Sequence, residues 1–395
     1  MDGRYQQIAD LLRSEIKRNG EIRIYSAPGR TEIGGNHTDH QNGRVLAASV
    51  DLETAAAVMA RDDNKIRVIS EGFPDSTVDL NILDPQPSDN ASTEGLIRGV
   101  AAYLSRAGFK TGGFDAYVRG GVPAGSGLSS SASFEILTGF ILSELYNDSR
   151  ISPLLLAAAG QHAENVYFGK PCGLMDQTAC AAGGLIGIDF KDPDSPLISP
   201  VDFDLKAAGY VICIVNTGGS HAGLTAEYAS IPAEMRSVAR EFGQETLRGI
   251  SSEDILGNIS SLRSKTSDRA ILRALHFTEE NERVKDETDA LMRKDLDAFF
   301  ALIRRSGDSS FKYLQNIYTN SDPLTQSLSV ALAATDIFLG SRGAFRVHGG
   351  GFAGTIQAFV PEALREDYRT LMDNIFGEGS CLALGIRDKG PVRIQ

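Results

Sequence analysis

One stretch constrains this chain more than any other. A β-type run ends at Ala116-Tyr117-Val118, a loop Arg119-Gly120-Gly121-Val122-Pro123-Ala124-Gly125-Ser126-Gly127 follows, and Leu128-Ser129-Ser130-Ser131-Ala132 leads into an apolar segment from Ser133 to Tyr146. The order reads as strand, glycine loop, buried helix. Such a loop presents free backbone N–H groups and a row of hydroxyls at the positive end of a helix dipole, which is a cradle for an anion such as phosphate. An ordinary Ser-rich helix cap would carry the same residues, and the segment alone leaves both readings open. It is not a Walker A loop, because no Gly-Lys-[Ser/Thr] follows and no lysine is at hand for the terminal phosphates.

The 41 glycines of the 395 residues bunch in two further places, around Gly34-Gly35 and at Gly349 to Gly354. Gly349-Gly350-Gly351-Phe352-Ala353-Gly354 fits the G-x-G-x-x-G pattern after a predicted strand. A dinucleotide fold needs a helix next, whereas Thr355 to Val360 alternates like a second strand, so a strand-to-strand link is expected instead.

Tyr5, Ile8, Leu11, Leu12 and Ile16 mark one face of a short amphipathic helix. Strands are expected around Ile22 and Ile24, over Val45 to Met59 and over Lys65 to Ser70, with Arg61 to Asn64 as a turn. Leu154 to Phe168 reads as a helix and Gly184 to Phe190 as a strand. Asp192-Pro193-Asp194-Ser195-Pro196, with Pro200 behind it, is a candidate boundary, although a surface hairpin would look the same. Helical periodicity dominates Ile231 to Leu314, and alternating β pattern returns at Phe345, Val347, Ile356, Ala358 and Val360. A boundary at that Pro-rich stretch divides the chain into residues 1–200 and 201–395.

Thirty-nine Lys and Arg against 51 Asp and Glu give a net charge of −12, which repels nucleic-acid phosphates and anionic membranes over distance without excluding an anion in one pocket. Four cysteines (Cys172, Cys180, Cys213, Cys381) without a C-x-x-C pair suit neither a disulfide framework nor a zinc knuckle, so reduced thiols in the cytoplasm are expected. Charges at Asp2, Arg4, Asp10, Arg13, Glu15, Lys17 and Arg18 interrupt any signal-peptide core, and no apolar run of about 18 residues is present to span a bilayer.

Ala27-Pro28-Gly29-Arg30 followed by Asn36-His37-Thr38-Asp39-His40 gathers a cation, a carboxylate, an amide and two imidazoles in what reads as a short loop between strands. No second cluster completes a zinc site, and these groups suit sugar hydroxyls. Glu164, on a helix, and Asp176, just past it in Cys172-Gly173-Leu174-Met175-Asp176-Gln177, add two acids; taken singly, each is more often a surface carboxylate than a catalytic one.

In order and spacing, Ala27 to Arg30, Gly35 to Asp39, Gly127 to Ser133, Cys172 to Gln177 and Gly349 to Gly354 closely resemble the motifs of galactokinases in the GHMP kinase superfamily. Lesser matches fall at Arg273-Ala-Leu-His276, at Glu282-Arg283-Val284 and at Ala226-Glu227-Tyr228. The resemblance implies an α+β fold, with an N-terminal α+β domain like ribosomal protein S5, a ferredoxin-like α+β C-terminal domain and an active site in the cleft between them. It implies ATP as co-substrate, Mg²⁺ as cofactor, phosphorylation of the anomeric hydroxyl of galactose, and partners limited to sugar and nucleotide, with the protein a monomer or weak homo-oligomer. By position, Asp176 would accept or orient the C1 hydroxyl proton and Arg30 would hold it ionised. Ser131 and Glu164 would bind Mg²⁺. Pro123, Gly125, Ser126, Gly127, Leu128, Ser129, Ser130, Ser131, Ala132 and Ser133 would cradle the triphosphate. Asp39 would grip adjacent ring hydroxyls, with Asn36, His37, Gly173 and Tyr228 completing the sugar pocket.

The chain departs from that family in places. Galactokinases usually carry Glu at the place of Asn36, Tyr at His40, and Asn-Leu-Ile where Glu32-Ile33-Gly34 stands. The basic residues that commonly follow the Glu-Tyr pair are missing after Tyr228. The usual Glu contacts the hydroxyl on C6, so Asn36 motivates galacturonate, L-arabinose and N-acetylgalactosamine as alternative substrates. A non-catalytic galactose and ATP sensor is a further alternative, although sensors lose residues of the Ser-rich loop and Ser131 and Ala132 are present here.

Overall fold

The computed structural model describes residues 3–123, 125–219 and 223–395; Asp2 and Ala124, quoted above, lie outside the described residues. The first sheet contains β1 (Arg23–Gly34), β2 (Arg44–Ala60), β3 (Lys65–Ser70), β4 (Ser76–Asp79), β5 (Phe114–Gly120), β6 (Leu185–Asp189) and β7 (Leu197–Pro200). Neighbours run β1-β2-β5-β3-β4, with β6 on β2 and β7 on β6. All of these pairs are antiparallel except β3 with β5. Side chains of β2 alternate between the sheet's two faces. Ala55, Ala57 and Met59 meet the apolar stripe of α1 (Gly3–Glu15). Ala56 and Val58 face the layer formed by α2 (Thr93–Arg106), α3 (Ser130–Tyr146), α4 (Pro153–His162) and α5 (Met175–Ala182).

The second sheet is antiparallel: β8 (Tyr210–Asn216), β9 (Ala344–His348), β10 (Thr355–Pro361) and β11 (Cys381–Leu384), ordered β11-β8-β10-β9. Its helices are α6 (Thr225–Glu241), α7 (Ser252–Gly257), α8 (Ile259–Lys265), α9 (Asp268–Met292), α10 (Leu296–Ser309), α11 (Ser327–Leu339) and α12 (Arg365–Phe376). Ile212 and Ile214 of β8 point at α9 and α10, whereas Cys213 and Val215 point at α11 and α12. Ile33, Leu46 and Val50 of the first sheet share the core on the α9 and α10 side, so that helical layer is common to both sheets. The last strand, β12 (Val392–Arg393), returns to pair with β1, which leaves a division drawn at residue 200 with a C-terminal strand on the first sheet.

Three sequence expectations change. Ala27 to Arg30 belong to β1 rather than to a loop; register shifts between Pro28 and Arg30 accommodate a proline that cannot donate to the ladder. The helix expected over Leu154 to Phe168 breaks into α4 and a π-helical turn, Ala163–Phe168, closed by Gly169 in the left-handed region. The Pro-rich stretch from Asp192 is the turn of the β6–β7 hairpin. The Gly349 to Gly354 segment joins two adjacent antiparallel strands, as its pattern predicts. No described helix is long and apolar enough to cross a membrane.

Candidate active site

Arg30 anchors the site. It projects from β1, is almost fully buried, and forms two parallel bonds to Asp176 at the start of α5, Nε to Oδ1 at 2.8 Å and Nη2 to Oδ2 at 2.7 Å. Its backbone N–H donates to the carbonyl of Leu128 at 3.1 Å and its Nη1 to the carbonyl of Gly127, so the glycine loop is pinned to the strand carrying the arginine. Burial pushes the Asp176 carboxyl pKa up, but the Arg30 charge, its hydrogen bonds and the Ser129 hydroxyl outweigh this and hold it below the ordinary value. Asp176 is therefore an anion with its counter-charge built in, buried on the Arg30 side and open to water on its own.

Ser129 has two consequences. It sits at the N-cap position of α3 with φ +57° yet makes no side-chain cap; its hydroxyl donates to Asp176 Oδ2 at 2.5 Å instead. Among the described residues no upstream carbonyl or side-chain cap takes up the N–H groups of Ser130, Ser131 and Ala132, which directly follow Ser129 and so stand beside the Arg30–Asp176 pair. Gly127, at φ +72°, has to be glycine: a Cβ there would come within 3 Å of Thr355 Oγ1 and His348 Nδ1.

Not every loop residue turns toward this opening. Leu128 and Ala132 are core residues, and only their backbone can serve a ligand. Ser133 is buried, its hydroxyl donating to the Ala27 carbonyl and lying 2.9 Å from the Thr54 hydroxyl, and Ser126 folds back on Pro123; neither hydroxyl is free, a correction to the row of ligand hydroxyls. Pro123 and Gly125 are exposed, while Ser130 and Ser131 are partly so.

Ser131 Oγ donates to Glu164 Oε1 at 2.9 Å, joining the first turn of α3 to the π-helical turn. Lys170 Nζ lies 2.9 Å from the same oxygen, and Gln177, next to Asp176, donates to Glu164 Oε2 at 3.1 Å. Among the described residues no group of three or more His, Cys, Asp or Glu could hold a metal. A hydroxyl and a buried carboxylate nevertheless fit Mg²⁺ of the kind that takes one or two protein oxygens and completes its shell with phosphates and water. Lys170, whose side chain is mostly exposed, would then turn outward.

The sugar-loop residues follow β1. His37 is held at φ +58° and its Nε2 lies 3.0 Å from the carbonyl of Gly350; burial pushes its pKa down to about 4, so the ring is neutral. Asp39 is partly open and accepts from the His40 N–H at 2.8 Å. Burial raises its pKa to about 6, helped by the Asp176 and Glu32 charges. A Cβ on Gly173 would overlap Asp39 Oδ2, so a bare backbone passes the carboxylate there. Tyr228 reaches in from α6, its hydroxyl donating to the carbonyl of Gly351 at 2.8 Å. The third glycine cluster thus backs this side of the site, on the carbonyls of Gly350 and Gly351.

Asn36 differs from its expected place. It is fully buried; Nδ2 donates to Glu32 Oε1 at 3.0 Å and to the Gly349 carbonyl at 2.7 Å, and Oδ1 accepts from Asn316 at 2.9 Å. That leaves no donor and little acceptor capacity for a sugar hydroxyl. The amide and carboxylate that the galactokinase pattern places at 32 and 36 are exchanged here and bonded to each other. Glu32 is paired in turn with Arg346 of β9 at 2.7 Å.

Sequence reasoning missed the Ser129–Asp176 bond, Lys170 and Gln177 on Glu164, and the Glu32–Arg346 pair. The Ser129–Asp176 and Glu32–Arg346 pairs join residues distant in sequence, and the contacts on Glu164 depend on the π-helical turn, which no residue pattern signals. The Arg273 to His276 run reads in the sequence only as a lesser match, although His276 bonds the Asn36 carbonyl at 2.9 Å.

Comparison with known proteins agrees with this geometry. Residues 95–184, which span the glycine loop, α3 and Asp176, match the GHMP kinases N terminal domain, and residues 13–60, which span Arg30 to Asp39, match the galactokinase galactose-binding signature. The galactokinase of Lactococcus lactis, solved in complex with galactose, superposes with a TM-score of 0.85 at 25% identity over 98% of this chain and 99% of that one. A D-glycero-D-manno-heptose 1-phosphate kinase from Bacteriodes thetaiotaomicron (TM-score 0.63, 16% identity, 95% and 99% coverage) and the mevalonate kinase of Methanococcus jannaschii (0.63, 16%, 94% and 99%) share the fold. With its mixed α+β architecture, its glycine loop in the matched N-terminal region and the galactose-binding signature over its first hairpin, the chain has the fold and signatures of a GHMP-type sugar kinase and is similar to galactokinases.

Proposed function

We propose that this protein transfers the γ-phosphoryl group of ATP to the C1 hydroxyl of galactose, with Asp176 and Arg30 at the reacting centre. The observation that carries the reading is the joining of three parts: the Arg30–Asp176–Ser129 constellation, the uncapped start of α3 beside it, and the Asp39 loop, whose carboxylate feels the charge of Asp176. Phosphoryl transfer asks little covalent chemistry of a protein; positioning and charge stabilisation carry most of it. A bond forms between C1 oxygen and γ-phosphorus, the bond to the β-phosphate bridging oxygen breaks, and ADP leaves. The hydroxyl proton passes to Asp176 and on to solvent. Because Arg30 keeps Asp176 weakly basic, its main work is to orient the hydroxyl, with proton transfer late in a loose transition state.

The backbone N–H groups between Gly125 and Ala132, apart from that of Ser126, which donates to Pro123, would hold the phosphates. Ser131 and Glu164 would hold Mg²⁺, which supplies neutralisation of phosphate charge. Asp39 would accept from two neighbouring ring hydroxyls, with His37, Gly173 and Tyr228 around them. An epimer would leave that buried acceptor unpaired, at about 1–3 kcal/mol per lost contact. The four thiols are all unpaired, which supports a reducing, cytoplasmic setting.

A substrate panel tests the proposal by coupled ADP release with galactose, galacturonate, L-arabinose and N-acetylgalactosamine. Galactose should turn over fastest. Negligible turnover of galactose beside rapid turnover of a uronate or pentose would overturn the assignment.

A further inference from the structure

We propose that Glu280, on α9, is a positioning residue for sugar binding: it fixes the peptide units that aim His37 and Asp39. The inference rests on the reading of the Asp39 loop as the sugar site.

The loop after β1 has local bonds of its own, among them the Thr38 N–H to the Gly35 carbonyl at 3.2 Å, but its two left-handed residues are held from further away. Gly35 has φ +92° and His37, which is not a glycine, has φ +58°. A non-glycine residue in that region costs about 1–2 kcal/mol and persists where the surroundings over-determine it. The surroundings come from the other half of the chain. Glu280 Oε1 accepts from the N–H of Gly35 at 3.2 Å and of Asn36 at 3.3 Å. One turn earlier on the same helix, His276 Nε2 lies 2.9 Å from the carbonyl of Asn36. That carbonyl can only accept, so Nε2 carries the proton and Nδ1 accepts from the Ser309 hydroxyl at 2.8 Å. Burial keeps the imidazole neutral, consistent with a single N–H. The peptide preceding His37 is therefore gripped at its carbonyl, and the two before it at their N–H groups, by a single helix.

Glu280 is itself fixed. It is fully buried, paired with Arg283 and bonded by Ser306 Oγ at 2.5 Å. Burial pushes its pKa up, but the charges of Arg283 and Arg346 and the Ser306 hydrogen bond bring it down to about 2, so it accepts as an anion at any working pH. No contact of Glu280 reaches the Arg30–Asp176 pair or the start of α3. Its effect should therefore fall on the sugar and not on the nucleotide.

The test is steady-state kinetics on the full chain, with galactose and ATP varied separately, for Glu280→Gln and Ser306→Ala. Glu280→Gln should raise the galactose KM about tenfold or more, while the ATP KM and kcat at saturating galactose stay within about twofold. Ser306→Ala, which removes a single donor, should raise the galactose KM about threefold. A galactose KM unchanged in folded Glu280→Gln, or an ATP KM rising in step with it, overturns the proposal; the second result is what a purely structural role would give. If Glu280→Gln does not fold, Ser306→Ala decides by the same criterion. If the parent does not phosphorylate galactose, the functional reading fails instead, and the same two variants are scored with the best substrate of the panel.

Discussion

Asp176→Asn separates charge from shape at the reacting centre. Asparagine retains a carbonyl for Arg30 Nε but sets an NH₂ against Nη2, donor facing donor, where a 2.7 Å ion pair stood. Leaving a fully buried cation without its partner costs about 3–5 kcal/mol. The Asp176 side chain is 30% exposed while that of Arg30 is 7% exposed, so water reaches one end of the pair, and about 2 kcal/mol is a fairer figure. The catalytic loss should be larger. Removing a positioned proton acceptor slows chemistry by about 10²–10⁴, or about 3–5 kcal/mol of barrier. The assay is coupled ADP release at saturating sugar and nucleotide, beside a thermal melt and a nucleotide-binding titration. Asp176 lies off the phosphate-cradling N–H groups, so binding of the nucleotide should remain measurable. A folded variant keeping more than about a tenth of parental kcat would refute the role given to Asp176.

Two further outcomes follow from the sugar loop. Gly173→Ala puts a methyl group against Asp39 Oδ2 and should raise the galactose KM about tenfold with little change for ATP; an unchanged galactose KM would show that Asp39 does not grip the sugar in this position. Asp39, with its pKa raised to about 6 by burial and by the Asp176 and Glu32 charges, accepts from two sugar hydroxyls through both oxygens only when ionised. Galactose affinity should be full above about pH 7 and fall about tenfold by about pH 5, where only about a tenth of the groups are charged. A flat galactose KM across that range would contradict the assignment, as would an Asp39→Asn variant that kept the pH dependence.

The exchange between positions 32 and 36 bears on specificity. Asn36 is sealed under Gly349 and Asn316, so nothing at this position presents a carboxylate to the far end of the sugar. Gly34, where the family pattern has Ile, belongs to the same rewiring: a Cβ there would overlap the carboxyl of Glu287, which lies buried on α9. The substrate panel reads this region directly, because its members differ in whether C6 carries a hydroxyl, a carboxylate or nothing, and in the substituent on C2.

By itself the sequence determined the order of elements and the chemistry available along it. Period-two and helical patterns placed most strands and helices, since burial of one face imposes them locally. The Gly125 to Ser133 segment announced a strand, loop and helix start, and Thr355 to Val360 excluded a dinucleotide fold after Gly349. What it could not decide was which polar groups remain free. Ser129, Ser131 and Ser133 are equivalent in the sequence, yet one bonds Asp176, one bonds Glu164 and one is sealed against Ala27 and Thr54. Asn36 reads as a ligand until Glu32, Gly349 and Asn316 are seen to saturate it. Arg30 and Asp176 are 146 residues apart and become a unit only when β1 and α5 pack together. Hydrogen-bond partners are exhausted by whatever comes within 3 Å in three dimensions, and that proximity is set by the packing of two sheets and their shared helical layer, which no local pattern records.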